Sequence, residues 1–272
     1  MGSNTRAANR CGATSAAGAR RTVRVLGSEV DILELDEAVS IVSGWIDAWD
    51  GQCRQVVVTG FHGLWEAHQD PEFHRIVNAA HLWVPDGIAP VLVARAKGMR
   101  GARRIPGAEL MDALLAKADV AGYRSFFYGD TEETLNRLAA AVKEKYPGHV
   151  VAGTLSPPFR PVAPEEDEEH VRRINAARPD VLWVGLGTPK QDRWIYQHRQ
   201  RLKVPAAIGV GAAFRFLTGQ VRRAPAWMGR MGLEWAFRLA MEPRKCWRRC
   251  LLQGPQFLAH VALELAGIRR YE

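Results

Sequence analysis

The chain alternates between short apolar runs and longer amphipathic segments. Six apolar runs have the length of β-strands: QVVVTG ending at Gly60, HLWVPDG ending at Gly87, YRSFFYGD ending at Asp130, HVVAGT ending at Thr154, VLWVGLG ending at Gly187 and AAIGVGA ending at Ala212. Continuous apolar runs of this length are typical of strands that are buried on both faces of a parallel sheet. The pattern therefore predicts six buried parallel strands.

Segments between these runs show the spacing of helices. Apolar residues fall on one helical face between Pro106 and Ala121, and again between Thr131 and Tyr146, where Thr131 suits the N-cap position. Alternating strands and helices predict an α/β fold with a doubly wound, mainly parallel, Rossmann-like sheet. Ligands of such sheets bind at the carboxyl ends of the strands, so we expect functional residues directly after the apolar runs.

The two ends of the chain depart from this rhythm. The stretch TVRVLGSEVDIL predicts a small N-terminal β-hairpin around Gly27. Residues 1–21 are small, polar and arginine-bearing, which indicates a disordered leader, with a transit peptide as the alternative. We therefore divide the chain into a leader (1–21), an α/β core (22–219) and a basic, helical C-terminal appendage (220–272).

Charge is distributed unevenly over a chain whose formal net charge is +8. From Arg215 to the end there are eleven Lys and Arg residues against four Asp and Glu, and the first 24 residues carry five Arg and no acid. The remaining body is slightly acidic. A basic tail on an acidic body indicates a local anionic partner.

The appendage contains GLEWAFRLAMEPRKCWRRC, in which apolar residues form one helical stripe and Glu234, Arg238 and Glu242 follow another face at i,i+4 spacing. This helix should end near Pro243. Beyond Pro255, the apolar segment FLAHVALELAGI is too short to span a bilayer, so we predict that it rests on an anionic membrane surface. A solvated basic helix that packs on the body is the alternative.

The sequence gives no indication of a disulfide framework, a metal site or a cofactor site. The four cysteines show no Cys-x-x-Cys spacing, which argues against a disulfide framework and favours a reducing cytoplasm. The segment PEEDEEH from Pro164 predicts a helix start, because proline fits the first helical position and acidic residues suit the helix dipole. No cluster of His and Cys residues and no Asp-x-Asp motif follows a predicted strand, so we expect no metal site. We also expect no cofactor.

Polar residues follow three of the predicted strands. Asp86 comes directly after an apolar run, where its carboxylate could take a proton from a hydroxyl, although Asp-Gly also simply makes turns. In VGLGTPKQDRW, Gly187 would admit close backbone approach and Lys190 and Gln191 supply a cation and an amide, which fits phosphate or sugar contact.

Thr59 and His62 follow a third strand, and Arg104 precedes the helix that Pro106 begins. The Thr59 hydroxyl could orient a sugar oxygen. His62 could titrate or could serve only as a packing residue, and Arg104 could bind a ligand or remain solvated. The residues by themselves leave both alternatives open.

Read in order, TGFHG, VPDGI, RRIPGAEL, FFYGD, VGLGTPKQD, GVGAAF, VRRAP and GLEWAFRLAMEPRK resemble the WecG/TagA/CpsF family of bacterial glycosyltransferases, from about Val23 to about Arg249. The resemblance implies an inverting, metal-independent transfer of a sugar from a UDP-sugar to a polyprenyl-diphosphate-linked acceptor. The donor sugar would be N-acetylmannosamine, its uronic acid or a related hexose, used in cell-surface or exopolysaccharide synthesis. The enzyme would be cytoplasmic and peripheral to the inner face of the membrane, with a homo-oligomer also possible.

The resemblance also suggests roles for individual residues. Asp86 and Thr59 are the predicted catalytic residues, Asp86 as general base and Thr59 to position the sugar. Substrate binding is predicted for Gln191, Lys190, Arg104, His62 and Gly187. The acceptor diphosphate is predicted to bind Arg238, Arg244 and Arg248, with Lys245 and Arg249 as auxiliary charge.

Two other protein classes share features with this sequence. A nucleic-acid-binding protein would use basic residues and tryptophans, but here the charge is confined to the tail and no binding module is recognisable. A nicotinamide-dependent oxidoreductase would share the doubly wound fold, but the glycine fingerprint is missing. We therefore expect a glycosyltransferase with no nucleic-acid partner.

Overall fold

The computed structural model describes residues 20–271, apart from the side chains of residues 226, 230 and 245. Its sheet contains β3 (Arg54–Thr59), β4 (Leu82–Pro85), β5 (Arg124–Gly129), β6 (Val150–Leu155), β7 (Val181–Gly185) and β8 (Ala206–Gly209). These six strands are parallel and lie in the order β4-β3-β8-β7-β5-β6. Each strand coincides with one of the six apolar runs, except that β3 begins one residue earlier and β6 ends one residue later, which confirms the six parallel strands. The prediction that all six are buried is wrong for β6, because this strand lies at the edge of the sheet and is only partly buried.

An antiparallel hairpin of β1 (Thr22–Val25) and β2 (Ser28–Asp31) precedes the sheet, as predicted. Leu26 and Gly27 form its turn, both with positive φ. Asp31 connects the hairpin to the sheet, because its carboxylate accepts hydrogen bonds from Trp83 N at 2.6 Å and from Arg20 Nε at 2.8 Å. Of the predicted leader, residues 1–19 lie outside the described residues.

Helices cover both faces of the sheet. In chain order they are α1 (Leu35–Asp47), α2 (Phe61–Gln69), α3 (Pro71–Asn78), α4 (Ile88–Ala96), α5 (Gly107–Ala121), α6 (Glu132–Lys145), α7 (Pro164–Ala177), α8 (Lys190–His198), α9 (Ala213–Leu217), α10 (Ala226–Arg230), α11 (Glu234–Met241), α12 (Pro243–Trp247) and, after a π-helical segment (Arg248–Gln253), α13 (Gly254–Leu265). The predicted N-cap is confirmed, since Thr131 Oγ1 accepts a hydrogen bond from Thr134 N at 3.1 Å.

A crevice is expected where adjacent strands send their following helices to opposite faces. In β3, Val58 packs in one core cluster with Phe214 of α9, whereas Val57 packs in another with Leu64 of α2. Helix α2 follows β3 and helix α9 follows β8, and these two strands are neighbours. The carboxyl ends of β3 and β8 therefore mark the topological switch point, beside the end of β4.

The last helix shares the core of the body. Phe257 and Val261 of α13 are buried in the same cluster as the hairpin and α2. Glu264 accepts hydrogen bonds from Leu26 N at 3.0 Å and from Lys97 Nζ at 2.8 Å. Among residues 20–271, no helix is both long and apolar enough to cross a bilayer. One side of α13 is thus fixed to the body.

Candidate active site

The structure brings Thr59 and Asp86 together at the ends of β3 and β4. Asp86 N donates a hydrogen bond to Thr59 O at 3.2 Å. The loops after these strands touch backbone to backbone, because a Cβ on Gly60 would lie 3.2 Å from Gly87 Cα. The Thr59 side chain is buried against Gly63, in the first turn of α2. Two glycines therefore let both predicted catalytic residues share one edge of the crevice.

The carboxylate of Asp86 faces the start of α5. Its Oδ1 accepts a hydrogen bond from Gly107 N at 2.9 Å. Burial raises the pKa of Asp86 above its usual value and Glu234 adds to the rise, while the Gly107 hydrogen bond, Arg238 and Arg104 oppose it. A carboxylate with a raised pKa holds a proton more readily at neutral pH and is a better general base. The surroundings of Asp86 thus suit proton transfer, and its hydrogen bond to Gly107 also stabilises the loop before α5.

Arg104 connects the body to the appendage. Its Nη1 donates a hydrogen bond to Glu234 Oε2 at 2.7 Å, at the start of α11. Its guanidinium lies directly against Gly229 of α10, where a side chain would collide with it. Arg104 is therefore paired at the crevice rather than solvated. Glu234 belongs to this site as well, although the sequence pattern indicated only that it lies on a polar helical face.

Gln191 is buried and binds the protein itself. Its Oε1 accepts hydrogen bonds from Gly187 N at 3.1 Å and from Gly211 N at 2.9 Å. Both glycines have left-handed φ angles, +79° and +52°. The amide therefore joins the loops after β7 and β8, and acts in this structure as a positioning residue. Lys190, the first residue of α8, is exposed.

We predict that Gln191→Ala lowers the free energy of unfolding by about 2 kcal/mol, because two backbone N–H groups lose their acceptor. Binding of the UDP-sugar that the family resemblance implies should weaken in parallel, since both glycine loops lose their shared anchor. Denaturant titration and nucleotide binding measure the two effects. Gln197→Ala, an exposed position on the same helix, is the matched control. Equal stability of the two variants would contradict the positioning role.

Further charged residues lie at this edge of the sheet. Asp130, with a left-handed φ of +54°, follows β5 and accepts hydrogen bonds from Arg215 Nε at 2.7 Å and Nη2 at 2.8 Å. Asp192 is fully buried, and burial raises its pKa to about 7. Its Oδ2 accepts a hydrogen bond from Thr188 Oγ1 at 3.2 Å. The sequence placed Asp130 at a strand end but gave no sign of its partner Arg215.

His62 lies beneath the appendage. Burial lowers the pKa of His62 to about 4, and the nearby Arg249 contributes to the fall. Its Nδ1 lies 3.7 Å from Glu66 Oε1, one helical turn further along α2. His62 is therefore neutral at pH 7 and faces the appendage, which matches the packing alternative more closely than a titrating role.

The three arginines predicted to bind the acceptor diphosphate lie in different surroundings. Burial raises the pKa of Asp86, and Arg238 lies close enough to oppose this rise. The guanidinium carbon of Arg238 lies 5.7 Å from the centre of the Phe216 ring. Arg244 and Arg248 are exposed, and Arg248 lies over the Trp247 ring. Arg249 has a buried Nε without a partner among the residues that the structure describes. The structure thus places Arg238 at the crevice and buries part of Arg249, which the sequence marked only as auxiliary.

Within the described part of the chain, no group of three or more His, Cys, Asp or Glu side chains is arranged to hold a metal ion. The positive charge near Asp86 comes from Arg104 and Arg238.

Comparison with known proteins identifies the family. The family model described as "Glycosyl transferase WecG/TagA/CpsF family" matches residues 23–271. A protein of Bacillus spizizenii is 34% identical over 72% of this chain and 74% of its own length. Proteins of Bacillus subtilis (30%, covering 73% and 75%) and Staphylococcus aureus strain MW2 (32%, covering 72% and 74%) are similar. All three are named N-acetylglucosaminyldiphosphoundecaprenol N-acetyl-beta-D-mannosaminyltransferase. With the family model matching almost all of the described residues, this chain belongs to the WecG/TagA/CpsF family of glycosyl transferases.

Proposed function

We propose that the enzyme transfers N-acetylmannosamine from a UDP-sugar to a polyprenyl-diphosphate-linked saccharide, with Asp86 as general base. The observation that carries the proposal is the surroundings of Asp86: a carboxylate with a raised pKa at the switch point, close to Arg104 and Arg238. The relatives support the substrate class, because their names specify an N-acetylglucosaminyl-diphosphoundecaprenol acceptor and a mannosaminyl product. A uronic acid or a related hexose is the alternative donor sugar, and the product would enter cell-surface or exopolysaccharide synthesis.

The chemistry is a single displacement. The acceptor hydroxyl oxygen bonds to the anomeric carbon while its proton passes to Asp86. The bond from that carbon to the UDP oxygen breaks, and the leaving oxygen keeps the electron pair. Attack opposite the leaving group inverts the anomeric configuration. Thr59 would orient the sugar, and the loops at Gly187 and Gly211 would approach the donor diphosphate near the N-terminus of α8.

We also propose that the appendage rests on the anionic inner face of the cell membrane. Large apolar side chains are exposed there, namely Trp247, Leu251, Leu252, Leu258, Leu265 and Ile268. Exposed basic residues accompany them, including Arg244, Arg248, Arg269 and Arg270. Apolar side chains flanked by cations fit an anionic lipid surface, and the proposed acceptor is itself held in lipid. The enzyme would therefore be cytoplasmic and peripheral.

A product assay tests the proposed reaction. Purified enzyme is incubated with N-acetylglucosaminyl-diphosphoundecaprenol and, one at a time, with a panel of nucleotide sugars, and the lipid products are analysed by mass spectrometry. We expect an added N-acetylhexosamine with UDP-N-acetylmannosamine as donor. The same saccharide without lipid diphosphate is the control acceptor. Absence of any lipid-linked product across the panel would contradict the proposal.

A further inference from the structure

The charged groups around Asp86 include a carboxylate that the proposed reaction does not use. Glu234 binds Arg104 at 2.7 Å, and its side chain is 41% exposed, against 24% for Arg104. Glu234 also raises the pKa of Asp86, so the two carboxylates lie within electrostatic range of each other. Glu234 therefore pairs its negative charge with Arg104, an arginine beside the predicted base.

Two other arginines in the same region lack partners for part of their guanidinium groups. The Nε atoms of Arg238 and Arg249 are both buried and have no hydrogen-bond acceptor among residues 20–271. Burial raises the pKa of the Cys250 thiol, and Arg249, which also hydrogen-bonds to this thiol, and Arg238 oppose the rise, so both arginines lie near Cys250. Buried donors that belong to charged groups are costly to leave unpaired. These two nitrogens therefore point to an anionic ligand.

We propose that Glu234 is an anionic placeholder that a diphosphate displaces from Arg104. The diphosphate then binds Arg104, Arg238 and Arg249, while the Glu234 carboxylate turns into solvent. Guanidinium groups bind phosphate oxygens in bidentate fashion, so a diphosphate can replace a single carboxylate contact. The inference rests on the proposed function only for the source of the diphosphate, which is the lipid-linked acceptor.

The appendage has anchors that do not involve Glu234. Phe257 and Val261 are buried against the body, and Glu264 binds Lys97 and Leu26. Glu234 can therefore leave Arg104 without releasing the appendage. A purely structural tether would behave differently, because loss of its charge would loosen the arginines and weaken anion binding. Removing the charge of Glu234 should therefore strengthen anion binding if Glu234 is a displaceable placeholder, and should weaken it if Glu234 is a structural tether.

Calorimetric titration with inorganic pyrophosphate, in buffer without divalent cations, measures this sign. We expect Glu234→Gln to bind pyrophosphate about tenfold more tightly than the wild type, because one competing, partly screened charge is removed. Glu234→Asp keeps the charge and should bind like the wild type. Glu133→Gln is the matched control, since Glu133 pairs with Arg137 on the surface of α6.

Two further arms identify the site and the source. Adding Arg238→Ala to Glu234→Gln should abolish the gain, and a gain that persists would overturn the proposal. A short, soluble polyprenyl diphosphate should show the gain, whereas UDP should not. Unchanged or weaker pyrophosphate binding by Glu234→Gln would also overturn it, as would a gain confined to UDP. Because binding is the readout, these results do not depend on whether Asp86 proves to be the base.

Discussion

Asp86→Asn is expected to reduce turnover by about 10²-fold or more, the usual effect of losing a general base. The asparagine oxygen can still accept the hydrogen bond from Gly107 N, so the turn and the start of α5 should keep their geometry. The amide cannot take up the proton of the acceptor hydroxyl. Initial rates of lipid-linked product formation measure the loss, and UDP-sugar affinity should stay within about twofold of the wild type.

Asp180→Asn is the matched control for this variant. Asp180 also accepts a backbone hydrogen bond, from Arg124 N at 2.8 Å, but at the amino ends of the strands. The same chemical change should leave turnover nearly unaltered there. Near-normal turnover of Asp86→Asn, with Asp180→Asn equally active, would remove Asp86 from the mechanism.

The pH profile gives a second readout of the same assignment. Because the pKa of Asp86 is raised, the base becomes protonated at a higher pH than an ordinary aspartate would. Activity should therefore be lost as pH falls through this raised pKa, while the deprotonated form gives full activity above it. In Asp86→Asn this acid limb should disappear from the residual rate.

The fold could be predicted largely from the sequence. Buried parallel strands have apolar side chains on both faces, so each produced a continuous apolar run, and the structure confirms a strand at all six runs, although the edge strand β6 is only partly buried. The order of the strands could not be predicted in the same way. It depends on which helices cover which face, and the pairing of β3 with β8 joins segments about 150 residues apart.

The site was predictable where it follows directly from the sheet. Thr59 and Asp86 end neighbouring strands, so one topological rule brought them together. The pairing of Arg104 with Glu234 depends on how the appendage folds back, which no local pattern encodes. Gln191 was expected to contact a sugar, yet its amide binds two glycine N–H groups that only the assembled loops bring close.

The sequence pattern also could not show which arginines of the appendage are buried. Adjacent helical positions point about 100° apart, so Arg248 and Arg249 face different surroundings. The wider turns of the π-helical segment Arg248–Gln253 also change the register in which side chains repeat. Counting positions along a regular helix therefore could not show that Arg249, rather than Arg248, has a buried guanidinium nitrogen.

The proposed membrane role of the appendage requires a test that leaves the body intact. Deleting the chain from Gly232 onward would remove Phe257 and Val261 from the core, so loss of activity could reflect unfolding. Exposed side chains avoid this difficulty. Leu251, Leu258 and Leu265 are spaced seven residues apart and are 54%, 63% and 44% exposed. Their replacement changes the surface without opening the core.

The triple variant Leu251→Gln, Leu258→Gln and Leu265→Gln is expected to bind anionic vesicles on the order of 10²-fold more weakly. Each partly inserted leucine should contribute about 1 kcal/mol, which gives about 3 kcal/mol for the three. Sedimentation with phosphatidylglycerol-containing vesicles measures the partition, and unchanged UDP-sugar binding would confirm an intact fold. Val120→Gln removes an 86% exposed apolar side chain at the end of α5 and should bind vesicles like the wild type. Residual binding by the triple variant should disappear at high salt, because the remaining attraction comes from the arginines. If the triple variant sediments like the wild type, these leucines do not contact the bilayer, and the exposed apolar side of the appendage has another partner.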